Sequence, residues 1–155
     1  MTIAKIISTD RIRLDVCAAS KKRALEELSD LLADAQPDVT SRTVFDRLFA
    51  RERLGSTALG FGVALPHGRM PGLERTIGAF VRLESGVDYD APDGEPVDML
   101  FGLLVPEECT EEHLDLLAQL AGVFDESTLR AKLHETMSPS EVRDIMDVQS
   151  SSQAA

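Results

Sequence analysis

Hydrophobic residues recur along the chain with two different periods, and each period predicts one kind of secondary structure. Residues 11–16 alternate between polar and apolar side chains, which is typical of a half-buried strand. Residues 76–83 alternate in the same way and predict a strand with one drier face. Residues 97–105 are almost all apolar and predict a central strand that is covered on both faces. The short apolar run 63–65 predicts one more buried strand.

Apolar side chains that recur three and four residues apart predict helices around these strands. Ser20 is a predicted N-cap, and Pro37 and Gly55 follow the first two helices. The predicted helices cover about 21–35, 41–53, 110–123 and 126–134, and a last one begins at 138. We expect the second helix to bury Val44, Phe45, Leu48 and Phe49, and the third to bury Leu114, Leu117, Ala118, Ala121 and Phe124. Strands and helices in this order predict a layered α/β domain.

Two further segments are predicted to lie outside regular structure. Residues 86–96 are rich in turn residues and carboxylates, but their spacing does not match a calcium-binding loop, so we interpret them as a solvated loop. Residues 149–155 are small and polar. They predict a flexible C-terminal tail that follows one domain formed by residues 1–148.

The composition narrows the classes of function. The 155 residues carry a formal net charge of −11, with 43% hydrophobic and 28% charged residues, as in an ordinary globular domain. The acidic charge argues against nucleic-acid binding, which needs clustered Lys and Arg. No apolar run approaches the roughly 18–20 residues that span a bilayer, so we expect a cytoplasmic protein without membrane insertion. Cys17 and Cys109 form no C-x-x-C motif, which argues against a disulfide framework or a cysteine zinc site.

The stretch 55–69 contains four glycines, a Ser-Thr pair and an apolar run that ends in Pro66-His67-Gly68. Pro66 fixes φ and lacks a backbone donor, and Gly68 lets the backbone of another molecule or an anion come close. We therefore predict a stiff turn that presents His67 at the end of a strand. A surface or structural histidine is the alternative, because the glycines match neither the dinucleotide-binding motif nor the phosphate-loop motif.

The segment Arg51-Glu52-Arg53-Leu54-Gly55-Ser56-Thr57, followed by residues 60–69, resembles an active-site signature. This signature is the one found in the phosphotransferase-system (PTS) IIA proteins of the fructose/mannitol/nitrogen type. The resemblance covers about residues 3–147 and is strongest to the nitrogen-regulatory members. It implies that residues 1–148 form a PTS IIA type-2 domain. Such a domain is a three-layer α/β/α fold with a central mixed sheet and the signature histidine at the sheet's edge.

The resemblance implies roles for three side chains. His67 would carry a phosphoryl group, His113 would contact a phosphoryl oxygen or hold the charge of the pocket, and Arg51 would lie near the transferred group. A neutral imidazole offers a lone pair at pH 7, and a guanidinium matches phosphate oxygens. If Nδ1–H of His67 donates to a nearby carbonyl, Nε2 is left for attack. The alternatives are a helix-surface position for His113 and a dipole-complementing role for Arg51.

Other residues of the signature are weaker candidates. Those for phosphate stabilisation are Ser56, Thr57 and Gly68. Those for partner docking are Leu59, Phe61 and Met70. Both hydroxyl residues are alternatively turn residues. Arg69 stands where the family often has lysine, and Phe61 stands where nitrogen-type members often have a small or polar residue. His134 has no counterpart in the signature and is predicted to lie on the surface.

The resemblance implies a phosphoryl-carrier and regulatory protein of the nitrogen-type PTS. Such a protein accepts phosphate on His67 from a histidine-phosphocarrier protein of the HPr/NPr kind, and its phosphorylation state regulates partners, with potassium transport and sensor kinases as candidate targets. The alternatives are a sugar-specific IIA component that passes phosphate to a IIB domain, and a non-catalytic binding module. No cofactor or metal is implied, and a metal-dependent hydrolase would need a ligand cluster that the motifs do not supply.

Overall fold

The computed structural model describes the backbone of residues 2–108 and 111–154, and the side chains as far as residue 147. In this part of the chain, strands form one mixed sheet: β1 Ile12–Val16, β2 Ala58–Gly60, β3 Val63–Ala64, β4 His67–Met70, β5 Ile77–Val87 and β6 Val97–Pro106. Their order is β1-β5-β6-β3-β2, and β4 pairs with β6 further along that strand than β3 does. Strands β5 and β6 run antiparallel, whereas β1 is parallel to β5, and β3 and β4 are parallel to β6.

Helices cover both faces of the sheet and make it the middle of three layers. The helices are α1 Ile3–Ile6, α2 Lys21–Ala33, α3 Ser41–Glu52, α4 Glu111–Phe124, α5 Ser127–Glu135 and α6 Pro139–Ala154. One hydrophobic core lies between the sheet and α2 with α3, and a second lies between the other face and α1, α4, α5 and α6. The predicted α/β/α fold with a mixed sheet is therefore confirmed.

Local signals placed the ends of α2 and α3 within two residues. The Ser20 hydroxyl accepts a hydrogen bond from the backbone N–H of Arg23 at 3.1 Å, as expected of an N-cap. Thr40 caps α3 in the same way through the N–H of Thr43. The predicted start of the next helix at Thr110 lies outside the described residues, which resume with α4 at Glu111.

The buried faces of α3 and α4 differ from the prediction, since Phe49, Leu114 and Ala118 are exposed. Phe49 is 39% exposed and stacks on Phe45 with ring centroids 5.5 Å apart, so it does not face the core. Leu114 is 65% exposed, and the side chains that α4 buries are His113, Leu116, Leu120, Val123 and Phe124. Apolar residues occupy nearly every side of α4, so periodicity alone does not decide which side faces the sheet. The observed buried face is rotated about the helix axis by roughly one residue from the predicted face.

Strand β5 is more deeply buried than its alternating sequence predicts. The predicted drier face is present, but residues 77–83 are buried on both faces, and Arg82 is only 4% exposed. The reason is that helices lie over both sides of the sheet. The strand also continues to Val87, and Tyr89 is fully buried, so the start of the predicted solvated loop 86–96 belongs to the folded core.

The C-terminal residues follow α6, whose backbone is helical as far as Ala154. The segment predicted as a tail is therefore helical over 149–154, and Ala155 lies outside the described residues. Flexibility of this segment stays a prediction. Across the described residues, none of the helices combines the length and apolar character that crossing a bilayer demands.

Candidate functional site

His67 begins β4, a strand that among the described residues pairs only with β6 and so lies at the edge of the sheet. Residues Leu65 and Pro66 separate it from β3, and the carbonyl of Pro66 accepts from the N–H of Leu103 at 2.9 Å. This short break separates β3 from β4 while both strands pair with β6. The ring is half-buried and borders two open clefts.

A backbone carbonyl sets the orientation of the His67 ring. Nδ1 lies 2.8 Å from the carbonyl oxygen of Leu65. Because a carbonyl oxygen only accepts, Nδ1 carries the hydrogen and Nε2 carries the lone pair. The carbonyl of Leu65 thus meets the condition under which Nε2 is left for attack.

The second histidine meets the first although 46 positions separate them in sequence. His113 lies in the first turn of α4, and the two ring centroids are 5.1 Å apart with the planes at 84°. The ring is not on the helix surface, because His113 is only 7% exposed. Among the described residues, Nδ1 of His113 has no hydrogen-bond partner. The structure therefore brings together the pair of histidines that the resemblance implied.

Arginines line the cleft in front of the two rings. The cleft has a volume of about 370 Å³ and is lined by Arg47, Ala50, Arg51, Leu54, His67, Gly68, Arg69 and His113. Arg51 also donates from Nη1 to the carbonyl of Gly55 at 2.8 Å, which closes the turn after α3. Arg47 was not predicted, although it lies four residues before Arg51 and hence on the same helix face. Arg69 lies two residues after His67 and hence on the same strand face.

Ser56 and Thr57 border the second cleft, but their hydroxyl groups already have partners. The cleft of about 360 Å³ also contacts His67 and Arg51. The Ser56 hydroxyl donates to the carbonyl of Tyr89 at 2.9 Å, and the Thr57 hydroxyl donates to Glu52. These contacts favour the alternative in which both residues hold the turn, and a direct phosphate contact by either one stays a prediction.

Gly68 is required by packing inside the protein. A Cβ at this position would lie 3.2 Å from Cβ of Arg47 and 3.3 Å from the backbone carbonyl of that residue. Such contacts are tighter than side chains normally make, so glycine lets β4 approach the backbone of α3. The close approach that the sequence suggested for a ligand is thus made by a helix. Gly68 still borders the arginine-lined cleft, and its contact with phosphate stays a prediction.

The predicted docking residues do not share one surface. Leu59 is 38% exposed and Phe61 is 59% exposed, but Met70 is 3% exposed and packs in the core below α2 and α3. The docking role of Met70 is therefore wrong, because alternation along β4 turns that side chain inward. Phe61 has a φ of 58° at the tip between β2 and β3, and the guanidinium carbon of Arg130 lies 4.4 Å from its ring centroid.

His134 is exposed, as predicted, and lies away from the paired histidines. Its Nε2 is 3.0 Å from a carboxylate oxygen of Asp98. Within the residues that the structure covers, no group of three His, Cys, Asp or Glu side chains gathers as potential metal ligands.

Both paired histidines are kept neutral by their surroundings. Burial lowers the pKa of His67, and Arg51 adds to the effect, while the hydrogen bond to Leu65 opposes it. Burial also lowers the pKa of His113, and the neighbouring His67 and two arginines act in the same direction. Each imidazole therefore holds its free lone pair at pH 7, which is the state that a nucleophile or a neutral hydrogen-bond partner needs.

These lowered pKa values predict a stability that depends on pH. In the unfolded chain histidine titrates near 6.5, so below that pH the unfolded state binds more protons than the folded state. The free energy of unfolding should therefore fall as the pH is lowered from 7.5 to 5.5. Urea denaturation at each pH measures it. In the double variant His67→Gln/His113→Gln the free energy of unfolding should fall less over this pH range. An unchanged pH dependence would contradict the lowered pKa values of the two histidines.

Comparison with known proteins assigns the chain to a family. The family model for the phosphoenolpyruvate-dependent sugar phosphotransferase system, EIIA 2, matches residues 5–148. The nitrogen regulatory protein of Pseudomonas aeruginosa is 46% identical over 131 residues, which cover 84% of this chain and 85% of that protein. The fructose-specific EIIA component of the PTS from Haloferax volcanii is 34% identical over 144 residues, 93% of this chain and 94% of that one.

The fold agrees with this assignment. The crystal structure of the nitrogen regulatory protein IIA-Ntr from Neisseria meningitidis superposes with a TM-score of 0.89 at 47% identity, and covers 93% of this chain and 98% of that chain. The family match, the curated relatives and the superposition agree with the sequence signature and with the paired histidines at the sheet's edge. The chain therefore belongs to the EIIA 2 family of the phosphoenolpyruvate-dependent sugar phosphotransferase system.

Proposed function

We propose that this protein accepts a phosphoryl group on Nε2 of His67 from a histidine-phosphocarrier protein, and that its phosphorylation state regulates partner proteins. The observation that carries the proposal is the hydrogen bond of 2.8 Å between Nδ1 of His67 and the carbonyl of Leu65. It holds the proton on Nδ1 and leaves the Nε2 lone pair available on a ring that borders open clefts.

The transfer needs few groups. The lone pair of Nε2 attacks phosphorus, the phosphorus–nitrogen bond of the donor phosphohistidine breaks, and its electron pair returns to the donor ring. No proton has to leave His67, because the product ring keeps Nδ1–H on the Leu65 carbonyl. The guanidinium groups of Arg47, Arg51 and Arg69 supply positive charge beside the phosphoryl oxygens, which carry the charge of a loose transition state.

Regulation would follow from charge. A phosphoryl group adds about two negative charges at pH 7, so it changes the arginine-lined cleft from a cationic surface to one that is closer to neutral. Partners that bind the cationic form would be released by phosphorylation. The identity of 46% to a nitrogen regulatory protein supports a regulatory role. Potassium transport and sensor kinases are the target classes that we propose to test first.

A sugar-specific role is the second candidate. The identity of 34% to a fructose-specific EIIA component supports it, since that relative covers nearly the whole chain. The two candidates share the acceptor His67 and differ in what receives the phosphate. Addition of a fructose- or mannitol-type IIB domain to the phosphorylated protein separates them, because rapid transfer to the IIB domain would support the sugar-specific role over the regulatory one.

The proposed acceptor atom can be tested on the unaltered protein. Incubation with phosphoenolpyruvate, the general PTS enzyme and a phosphocarrier should give one acid-labile phosphate, and fragmentation by mass spectrometry should place it on the peptide that contains His67. Nitrogen-15 NMR of the phosphorylated ring should then show the phosphorus–nitrogen coupling at Nε2. Absence of label with every carrier, or label on Nδ1 or on another residue, would overturn the proposal.

A further inference from the structure

A buried carboxylate lies behind the site and takes no part in the transfer described above. Glu52 ends α3, and its side chain is only 2% exposed. One carboxylate oxygen accepts from the backbone N–H of Thr57 at 3.1 Å, and the other accepts from the Thr57 hydroxyl. Nζ of Lys21, the first residue of α2, forms an ion pair with the same carboxylate at 3.1 Å.

A chain of hydrogen bonds leads from this carboxylate to the reacting ring. Thr57, which Glu52 holds by both its N–H and its hydroxyl, accepts through its carbonyl oxygen from the N–H of Leu65 at 3.1 Å. The carbonyl oxygen of Leu65 then accepts from Nδ1–H of His67 at 2.8 Å. Two residues, Thr57 and Leu65, therefore connect the Glu52 carboxylate with the His67 imidazole through their hydrogen bonds and their own backbones.

We propose that Glu52 is a positioning residue for His67, which acts through Thr57 and Leu65 to aim the ring and to favour the positive charge that the ring acquires when Nε2 is phosphorylated. The inference rests on the proposed function for its catalytic meaning. Its structural content, a carboxylate that fixes Thr57 and thereby the Leu65 carbonyl that the ring contacts, does not depend on phosphorylation.

The burial of Glu52 is hard to explain by stability alone. A buried ion pair contributes little net stability, since desolvation of two charges offsets their attraction, and apolar residues of similar volume often serve better. The Lys21–Glu52 pair is nevertheless packed against Tyr89, which is fully buried, with Nζ of Lys21 4.3 Å from the centre of its ring. A negative charge held so close to the base of the signature loop fits an electrostatic role.

The surroundings of His67 shift the pKa of its ring in opposite directions. Burial and Arg51 lower the pKa of the ring, whereas the Leu65 carbonyl and the Glu52 carboxylate raise it. Phosphorylation at Nε2 places positive charge on the ring, as protonation does. Glu52 therefore stabilises the phosphorylated ring for the same reason that it raises the pKa.

The variant Glu52→Gln tests the coupling in the unphosphorylated protein. The amide has the same shape and can still accept from the Thr57 N–H, but it has no charge. NMR titration of the His67 ring should show its pKa displaced downward from that of the unaltered protein. Glu27→Gln is the matched control, because Glu27 pairs with Arg13 and Arg23 at the surface of α2 and should leave the titration of His67 unchanged.

Lys21→Met distinguishes an electrostatic role from loosening of the loop. Removal of the counter-charge leaves the Glu52 carboxylate uncompensated, so the pKa of His67 should rise. A loosened loop would admit water to the ring in both variants and would raise the pKa in both. Opposite displacements support the proposal. An upward displacement in Glu52→Gln, or none in a variant that gives a folded spectrum, overturns it.

The rate of phosphorylation gives a second readout. A ring that is aimed less well should accept phosphate about 10- to 100-fold more slowly from the carrier, because small errors of position have large effects on transfer. An unchanged rate in Glu52→Gln would overturn the positioning role. If the unaltered protein takes no label at all, the proposed function fails, but the NMR titration still decides whether Glu52 is coupled to His67.

Discussion

Replacement of His67 by glutamine should abolish phosphorylation by the carrier. Glutamine keeps much of the volume of the ring and can still donate to the Leu65 carbonyl, which now accepts from Nδ1 at 2.8 Å. It has no nitrogen lone pair that can attack phosphorus, since its amide nitrogen is not nucleophilic. The acid-labile label, measured by intact mass after incubation with phosphoenolpyruvate and the PTS enzymes, should fall below detection.

His134→Gln is the matched control for this loss. His134 is the exposed histidine that pairs with Asp98, and it lines neither of the clefts that His67 borders. Its replacement should leave the yield and the rate of labelling unchanged. Retained label in His67→Gln, or lost label in His134→Gln with a folded spectrum, would show that the acceptor has been assigned to the wrong residue.

Replacement of Arg82 by alanine should cause a large loss of stability. Arg82 lies on β5 and is 4% exposed. Its guanidinium donates to the carbonyls of Leu133 at 2.9 Å and Thr136 at 2.5 Å, and it pairs with Asp15 at 2.9 Å. The variant removes the donor from the buried Leu133 and Thr136 carbonyls and opens a cavity, so we expect a loss of about 3–5 kcal/mol in the free energy of unfolding.

Arg13→Ala provides the comparison within the same sheet. Arg13 lies on β1 and pairs with Glu27 at 3.1 Å, but its side chain is 46% exposed. A solvent-exposed pair contributes about 0–1 kcal/mol, so urea denaturation should show little change. A loss of less than about 1 kcal/mol in Arg82→Ala would contradict the view that this arginine fastens the end of α5 to the sheet.

Pattern and turn chemistry predicted most elements because those signals are local. Ser20 and its hydrogen bond to Arg23 N–H could be predicted from four consecutive residues. The all-apolar segment 97–105 could be placed at the centre of the sheet because only a strand covered on both sides tolerates such a run. The rotation of α4 could not be predicted, since Leu114 and Leu116 are equally apolar and only the sheet selects between them.

The candidate site was predicted in part. The resemblance singled out His67, His113 and Arg51, and the structure places all three around the arginine-lined cleft. Arg47 could have been found from its spacing of four residues to Arg51. Glu52 belongs to the signature, but no pattern in the sequence shows that its carboxylate bonds to Thr57, because that contact depends on how the turn after α3 folds back.

By itself, the sequence determined the alternation of helices and strands and the helix caps, since each depends on neighbours within a few residues. The turn predicted at Pro66-His67-Gly68 is wrong in part, because His67 and Gly68 already belong to β4. Tertiary structure alone decided which distant groups meet. His113 reaches His67 because β4 and β6 are adjacent and α4, which follows β6, packs on the face of the sheet that His67 faces. Tertiary packing also decided the burial of Arg82, Met70 and Glu52. The exposure of a side chain depends on which elements cover it, and residue type alone does not determine this.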